Sequence, residues 1–119
     1  PDMTTADVES TVKQLSACET VVVAAYATPR TSNVLSDGYV KLIESVQESG
    51  KPLVLIALGN PYLLRSFPKV PAYLVTFSTT PPSEVAAVKA VLGKISIQGH
   101  MPVTVPGLAK YGDGIQLPH

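Results

Sequence analysis

Nine acidic side chains give this 119-residue chain the raw material for acid–base chemistry. Carboxylate catalysis needs two such groups facing one reacting centre, one as acid and the other as base or nucleophile. Asp7, Glu9, Glu44, Glu48 and Glu84 all fall on predicted helices, mostly on exposed faces or in first turns. Asp37 reads as a helix start, and Asp113 lies between Gly112 and Gly114, a setting that favours a turn over catalysis. No convincing pair emerges. His100 and His119 have no acidic neighbours in sequence, so a metal is not expected. Cys18 is the sole cysteine, which excludes an intrachain disulfide and a cysteine-based zinc site. Its place between an apolar helix end and a run of valines predicts a buried, inert thiol. Gly59 belongs to neither a GxGxxG nor a GxxxxGK[ST] pattern, so no nucleotide cradle is expected. No cofactor is called for.

The elements that would position these groups alternate between helical and strand periods. Thr4 and Asp7 form an approximate capping box ahead of Val8, Val12 and Leu15, which share one helical face. Thr20–Tyr26, TVVVAAY, is a continuous apolar run of strand length, and its lack of alternation predicts burial on both faces. A helix follows from about Asp37 to Ser49, with Tyr39, Leu42, Ile43 and Val46 on one face, and Gly50 is placed to close it. Leu53–Leu58 is a second buried strand, broken by Gly59-Asn60-Pro61, and Tyr62–Ser66 has room for one or two helical turns. Tyr73–Phe77 is a third strand. Pro81 and Pro82 suit the first turn of a helix running to Leu92, with Val85, Val88 and Leu92 inward and Gly93 closing it. Ile95–Ile97 and Val103–Val105 are short strand candidates, the second confined to an edge by Pro102 and Pro106. This order predicts an α/β three-layer sandwich of Rossmann or flavodoxin-like type, a mostly parallel sheet with helices on both faces.

Hydrophobic residues make up 45 % of the chain and charged residues only 15 %, with nine basic residues balancing nine acidic ones. The deficit of charge fits either two-sided strand burial or surface normally covered by a partner. Scattered single cations argue against nucleic acid, and no apolar run reaches the ~20 residues of a membrane span. A chain starting at Pro1 without methionine is expected to be processed or cut from something longer. In open α/β sheets, ligands bind beyond the carboxyl ends of the strands. That singles out Ala27–Asn33, Gly59–Tyr62 and Ser78–Ser83, and within them Arg30, Asn60 and Tyr62 as residues that could face a substrate or an interface.

Four segments in order carry a resemblance: KPLVLIALGNPYLLR (Lys51–Arg65), VPAYLVTFS (Val70–Ser78), SEVAAVKAVLG (Ser83–Gly93) and PVTVPG (Pro102–Gly107). Together they resemble the C-terminal α/β domain of glycoside hydrolase family 3, most closely its bacterial β-N-acetylglucosaminidase branch. The resemblance implies one domain over residues 1–119, with 107–119 as a wrapping tail, at the end of a longer two-domain enzyme. It also implies that the catalytic aspartate and the acid/base histidine–aspartate pair reside on a preceding TIM-type barrel, so no position here inherits them. The β-glucosidase branch takes an acidic glutamate from this domain, and no loop glutamate here fits. The partners implied are that N-terminal barrel and a glycan or cell-wall fragment. The alternative is a free-standing binding or oligomerisation module, for which the low charge would allow a homodimer. A periplasmic or secreted parent is preferred, with the cytoplasm left open.

Overall fold

Seven consecutive residues without a polar side chain, Leu53–Gly59, must be sheltered on both faces, and the fold is arranged around them. A computed structural model describes residues 4–27, 35 and 37–118. The elements in order are α1 (Thr5–Leu15), β1 (Val21–Ala27), α2 (Asp37–Glu48), β2 (Leu53–Gly59), a 3-10 helix (Pro61–Ser66), β3 (Ala72–Val75) and α3 (Pro81–Val91). The three strands form one parallel sheet in the order β1-β2-β3, with Val21 opposite Leu53 and Val54 opposite Ala72. This is the α/β architecture that the alternating periods predict.

Alternation along β2 divides the core. Leu53, Leu55 and Ala57 pack with Val21 and Ala25 of β1, Val8 of α1, and Leu42, Ile43 and Val46 of α2. Leu63 and Phe67 close this cluster at one end. On the opposite face Ile56 and Leu58 pack with Ala87 of α3. The first layer is extensive and the second is thin.

Local chemistry accounts for the element ends. Thr4 caps α1 in a complete box: the Asp7 amide donates to Thr4 Oγ1 at 3.2 Å, and the Thr4 amide donates to Asp7 Oδ2 at 3.0 Å. The donated Thr4 backbone hydrogen bond, with its hydroxyl second, holds the Asp7 carboxyl below the usual range. Gly50 closes α2 with φ of 74°, a left-handed value that a Cβ would strain.

Several sequence expectations are corrected. β1 is buried on one face only: Val22 is 47 % and Tyr26 59 % exposed, because α3 on that face packs over Ile56 and Leu58 of β2. In α3, Val85, Val88 and Leu92 are more than half exposed; Ala87 is the residue buried on the sheet. A helix this uniformly apolar has no strong periodic signal, and the small side chain allows the closest approach. Tyr39 is exposed, while Leu42, Ile43 and Val46 are buried as expected. Cys18 is exposed, since it sits in the turn between α1 and β1 and not in the core. The two late strand candidates are reduced to single antiparallel bridges, Ile97 with Leu117 and Val105 with Ala109. Pro102 and Pro106 cannot donate to a longer ladder.

Lys51, just before β2, holds the carboxyl end of α1. Its ammonium donates to the carbonyls of Leu15 at 2.9 Å and Ser16 at 2.7 Å, and also to that of Cys18. These carbonyls have no further turn of α1 to bond with, and the cation offsets the negative end of the helix dipole. Lys51→Met keeps the apolar stem but removes the donors. It should lower stability by about 1–3 kcal/mol, the scale of charge-assisted hydrogen bonds. Urea unfolding checks this as a lower midpoint at unchanged slope.

Candidate functional site

The carboxyl ends of the three parallel strands, at Ala27, Gly59 and Val75, lie along one edge of the sheet. β2 ends at Gly59, whose φ of 112° lets the backbone turn without a Cβ in the way. Asn60 follows and is 7 % exposed. Its Oδ1 accepts from the Tyr62 amide at 2.9 Å, capping the 3-10 helix, and Pro61 starts that helix where no amide donor is needed. Tyr62 itself is half-buried. Arg30 lies outside the described residues.

Tyr73 fastens this turn to β3. Its hydroxyl donates to the Pro61 carbonyl at 2.9 Å. Burial pushes the phenol up to about 12, opposed more weakly by the Leu64 backbone. Asn60 and Tyr73 thus grip the same turn from two strands.

At the end of β3, Phe77 adopts φ of 58°, in the left-handed region that non-glycine residues rarely occupy. A chain of hydroxyls surrounds it. Thr76 Oγ1 donates to the Ser78 carbonyl at 2.7 Å, Ser78 Oγ and Thr80 Oγ1 lie 3.0 Å apart, and Thr80 Oγ1 lies 3.4 Å from Ser83 Oγ. These bonds fix the loop on either side of Phe77, a residue that is 41 % exposed.

A contact with no signal in the sequence joins β1 to α3: the Tyr26 hydroxyl donates to Glu84 Oε1. The accepting carboxylate holds the Tyr26 phenol above its ordinary value. The two residues are 58 positions apart, so only the fold brings them together.

Each carboxylate with a described partner is engaged separately. Asp7 serves the Thr4 cap, Glu84 binds Tyr26, and Asp113 Oδ2 accepts from the Lys110 amide at 2.8 Å in a turn. His100 Nδ1 pairs with the Gly112 carbonyl at 3.1 Å. Among the described residues, no three His, Cys, Asp or Glu side chains converge on a metal-sized site. Gln98, His100 and Gln116 line an open cleft of about 610 Å³ with Ile97, Leu117 and Pro118, all from the C-terminal segment. Sequence reading passed over this cleft because the Ile97–Leu117 bridge that forms it spans a segment without periodicity.

The model of the glycosyl hydrolase family 3 C-terminal domain matches residues 4–117. The chain belongs to that family. No curated protein and no solved structure matches it. Family 3 membership fits the parallel sheet and the strand–turn–helix at Asn60, and makes the domain part of a multidomain glycosidase. No helix among the described residues is long and apolar enough to cross a membrane.

The Tyr73 anchor carries a pH signature. The folded phenol deprotonates at about 12, whereas the unfolded one deprotonates near the ordinary tyrosine value of 10.0, so the unfolded state loses its proton first as pH rises. Stability is therefore full below about pH 10 and falls as pH rises towards 12. Tyr73→Phe should flatten that alkaline loss, read as unfolding midpoints across the same range.

Proposed function

We propose that this domain is the accessory C-terminal part of a retaining family 3 hydrolase releasing terminal N-acetylhexosamine. In this reading it packs on and stabilises an N-terminal catalytic TIM-type barrel and performs no chemistry itself. Family membership over residues 4–117 is the observation that carries the reading. Two further features support it. The three carboxyl-end segments, Ala27–Asn33, Gly59–Tyr62 and Ser78–Ser83, contain no Asp or Glu, so they offer no acid of the kind the β-glucosidase branch uses. The exposed apolar side chains of Val85, Val88 and Leu92 suit burial against another domain.

Arg30, Asn60 and Tyr62 are proposed to line the outer substrate site or the interface with the barrel. Binding energy from such remote contacts can raise turnover without any part in bond breaking. A free-standing binding or oligomerisation module would use the same apolar surface, and it requires self-association or sugar affinity. A strict monomer by light scattering, with no affinity for N-acetylglucosamine, counts against that alternative.

The pure 119-residue chain should hydrolyse an aryl N-acetylglucosaminide no faster than buffer does. The polypeptide joining barrel and domain should turn it over. Activity in the isolated chain would overturn the accessory reading, while a joined polypeptide active only on aryl glucosides would overturn the branch. In the joined polypeptide, Arg30→Ala should lower kcat/KM about tenfold, the equivalent of one charge-assisted hydrogen bond. Unchanged kinetics would return Arg30 to the solvent.

A further inference from the structure

The cleft in the C-terminal segment has walls fixed by backbone. Ile97 and Leu117 exchange both main-chain hydrogen bonds, at 2.7 and 3.0 Å. Farther along, the Met101 amide donates to the Asp113 carbonyl at 2.7 Å, and the Gly112 amide to the Met101 carbonyl at 2.8 Å. Both ends share one antiparallel register, which sets Gln98 opposite Gln116 and His100 opposite Gly114. A Cβ at Gly114 would run into the Gly99 carbonyl oxygen, so the two runs approach more closely than any other residue would allow there.

The lining is polar but carries no fixed charge. Gln98, His100 and Gln116 stand beside Ile97, Leu117 and Pro118, and no Asp, Glu, Lys or Arg joins them. A phosphate, carboxylate or ammonium ligand would find no countercharge there. Gln98 Nε2 gives one long bond to Ser96 Oγ at 3.3 Å, and Gln116 Nε2 one to the Gly99 carbonyl at 3.4 Å. Their Oε1 atoms have no partner among the described residues. The Gly112 carbonyl can only accept, so His100 Nδ1 carries the hydrogen and Nε2 of the neutral ring is left as an acceptor. Donors and acceptors thus alternate with apolar carbon. Hydroxyls, which both donate and accept, match this set, and the C–H faces of a sugar ring match Ile97, Leu117 and Pro118. No Phe, Tyr or Trp lines the cleft, so a nucleobase has no stacking partner.

We propose that this cleft is a binding site for a short stretch of neutral glycan, held by Gln98, His100 and Gln116. Its volume of about 610 Å³ lies within the ~300–1,000 Å³ range of small-ligand sites. None of its residues belongs to the three carboxyl-edge segments. The site requires neither the N-acetylhexosamine specificity nor contact with a barrel, so its loss would leave both readings standing.

The test is a titration of the isotopically labelled 119-residue chain, followed by NMR, with cellobiose and with N,N′-diacetylchitobiose up to about 20 mM. At least one disaccharide should shift the side-chain amides of Gln98 and Gln116 together with the His100 ring. Gln116→Ala should weaken that binding about fivefold, the scale of one neutral hydrogen bond, and Gln98→Ala on the facing run should do likewise. Unshifted backbone amides in β1 and β2 would show that both variants remain folded. Silence with both disaccharides overturns the proposal, as does unchanged affinity in both variants. Equal shifts from a neutral acetylated trialanine amide overturn it too, because the cleft would then read peptide groups and not hydroxyls.

Discussion

Burial of β2 on both faces is the constraint from which the other arrangements follow. Leu53, Leu55 and Ala57 point to one side and Ile56 and Leu58 to the other, and all five are nearly or fully removed from water. A parallel strand of this kind cannot sit at the surface, because its apolar side chains would be hydrated on at least one face. Two layers of helix are therefore required. The polar groups that organise those layers sit at the strand's two ends: Lys51 ahead of it secures α1, and Asn60 beyond it caps the turn that Tyr73 holds. The strand interior supplies the burial and its ends supply the directional bonds.

The two helical layers do unequal amounts of covering, which explains the chain's composition. Low charge was compatible with two-sided strand burial or with a covered surface; the structure shows burial of β2 and apolar side chains left exposed on β1 and α3. β2 is sheltered on both sides, but β1 is sheltered on one, and α3 meets the sheet through Ala87 while its valines face outward. A small contact residue brings the helix close yet leaves the larger side chains on the wrong side to fill the second core. The apolar excess is therefore partly internal and partly displayed.

What could be read from the sequence divides along the same line. Thr4 with Asp7, Gly50, and Asn60 with Pro61 act on neighbours within a few positions, so their roles as caps and stops were legible residue by residue. The order of helices and strands was legible too, because each period is a local property. Exposure was not. TVVVAAY is the same string whether one or two layers cover it, and the orientation of α3 cannot be recovered when apolar residues surround the whole helix. Cys18 was placed in the core because of its valine neighbours, yet a turn separates it from them in space. Tyr26 and Glu84 meet only because β1 and α3 share the carboxyl edge. Of the site residues, Asn60 had a structural role written in its Gly-Asn-Pro context, and Arg30 lies outside the described residues.

The described polar groups at the carboxyl edge are engaged locally. Its described polar atoms include an amide, two phenols, the Glu84 carboxylate and a run of hydroxyls, and they bond mainly to one another or to nearby backbone. They are well suited to holding backbone in uncommon geometries, as Phe77 illustrates with its left-handed φ and partly exposed ring. An edge of this kind presents a preset shape, and a preset shape loses little conformational entropy when another surface docks on it. For a family 3 C-terminal domain, that rigidity is the property a neighbouring catalytic domain could use.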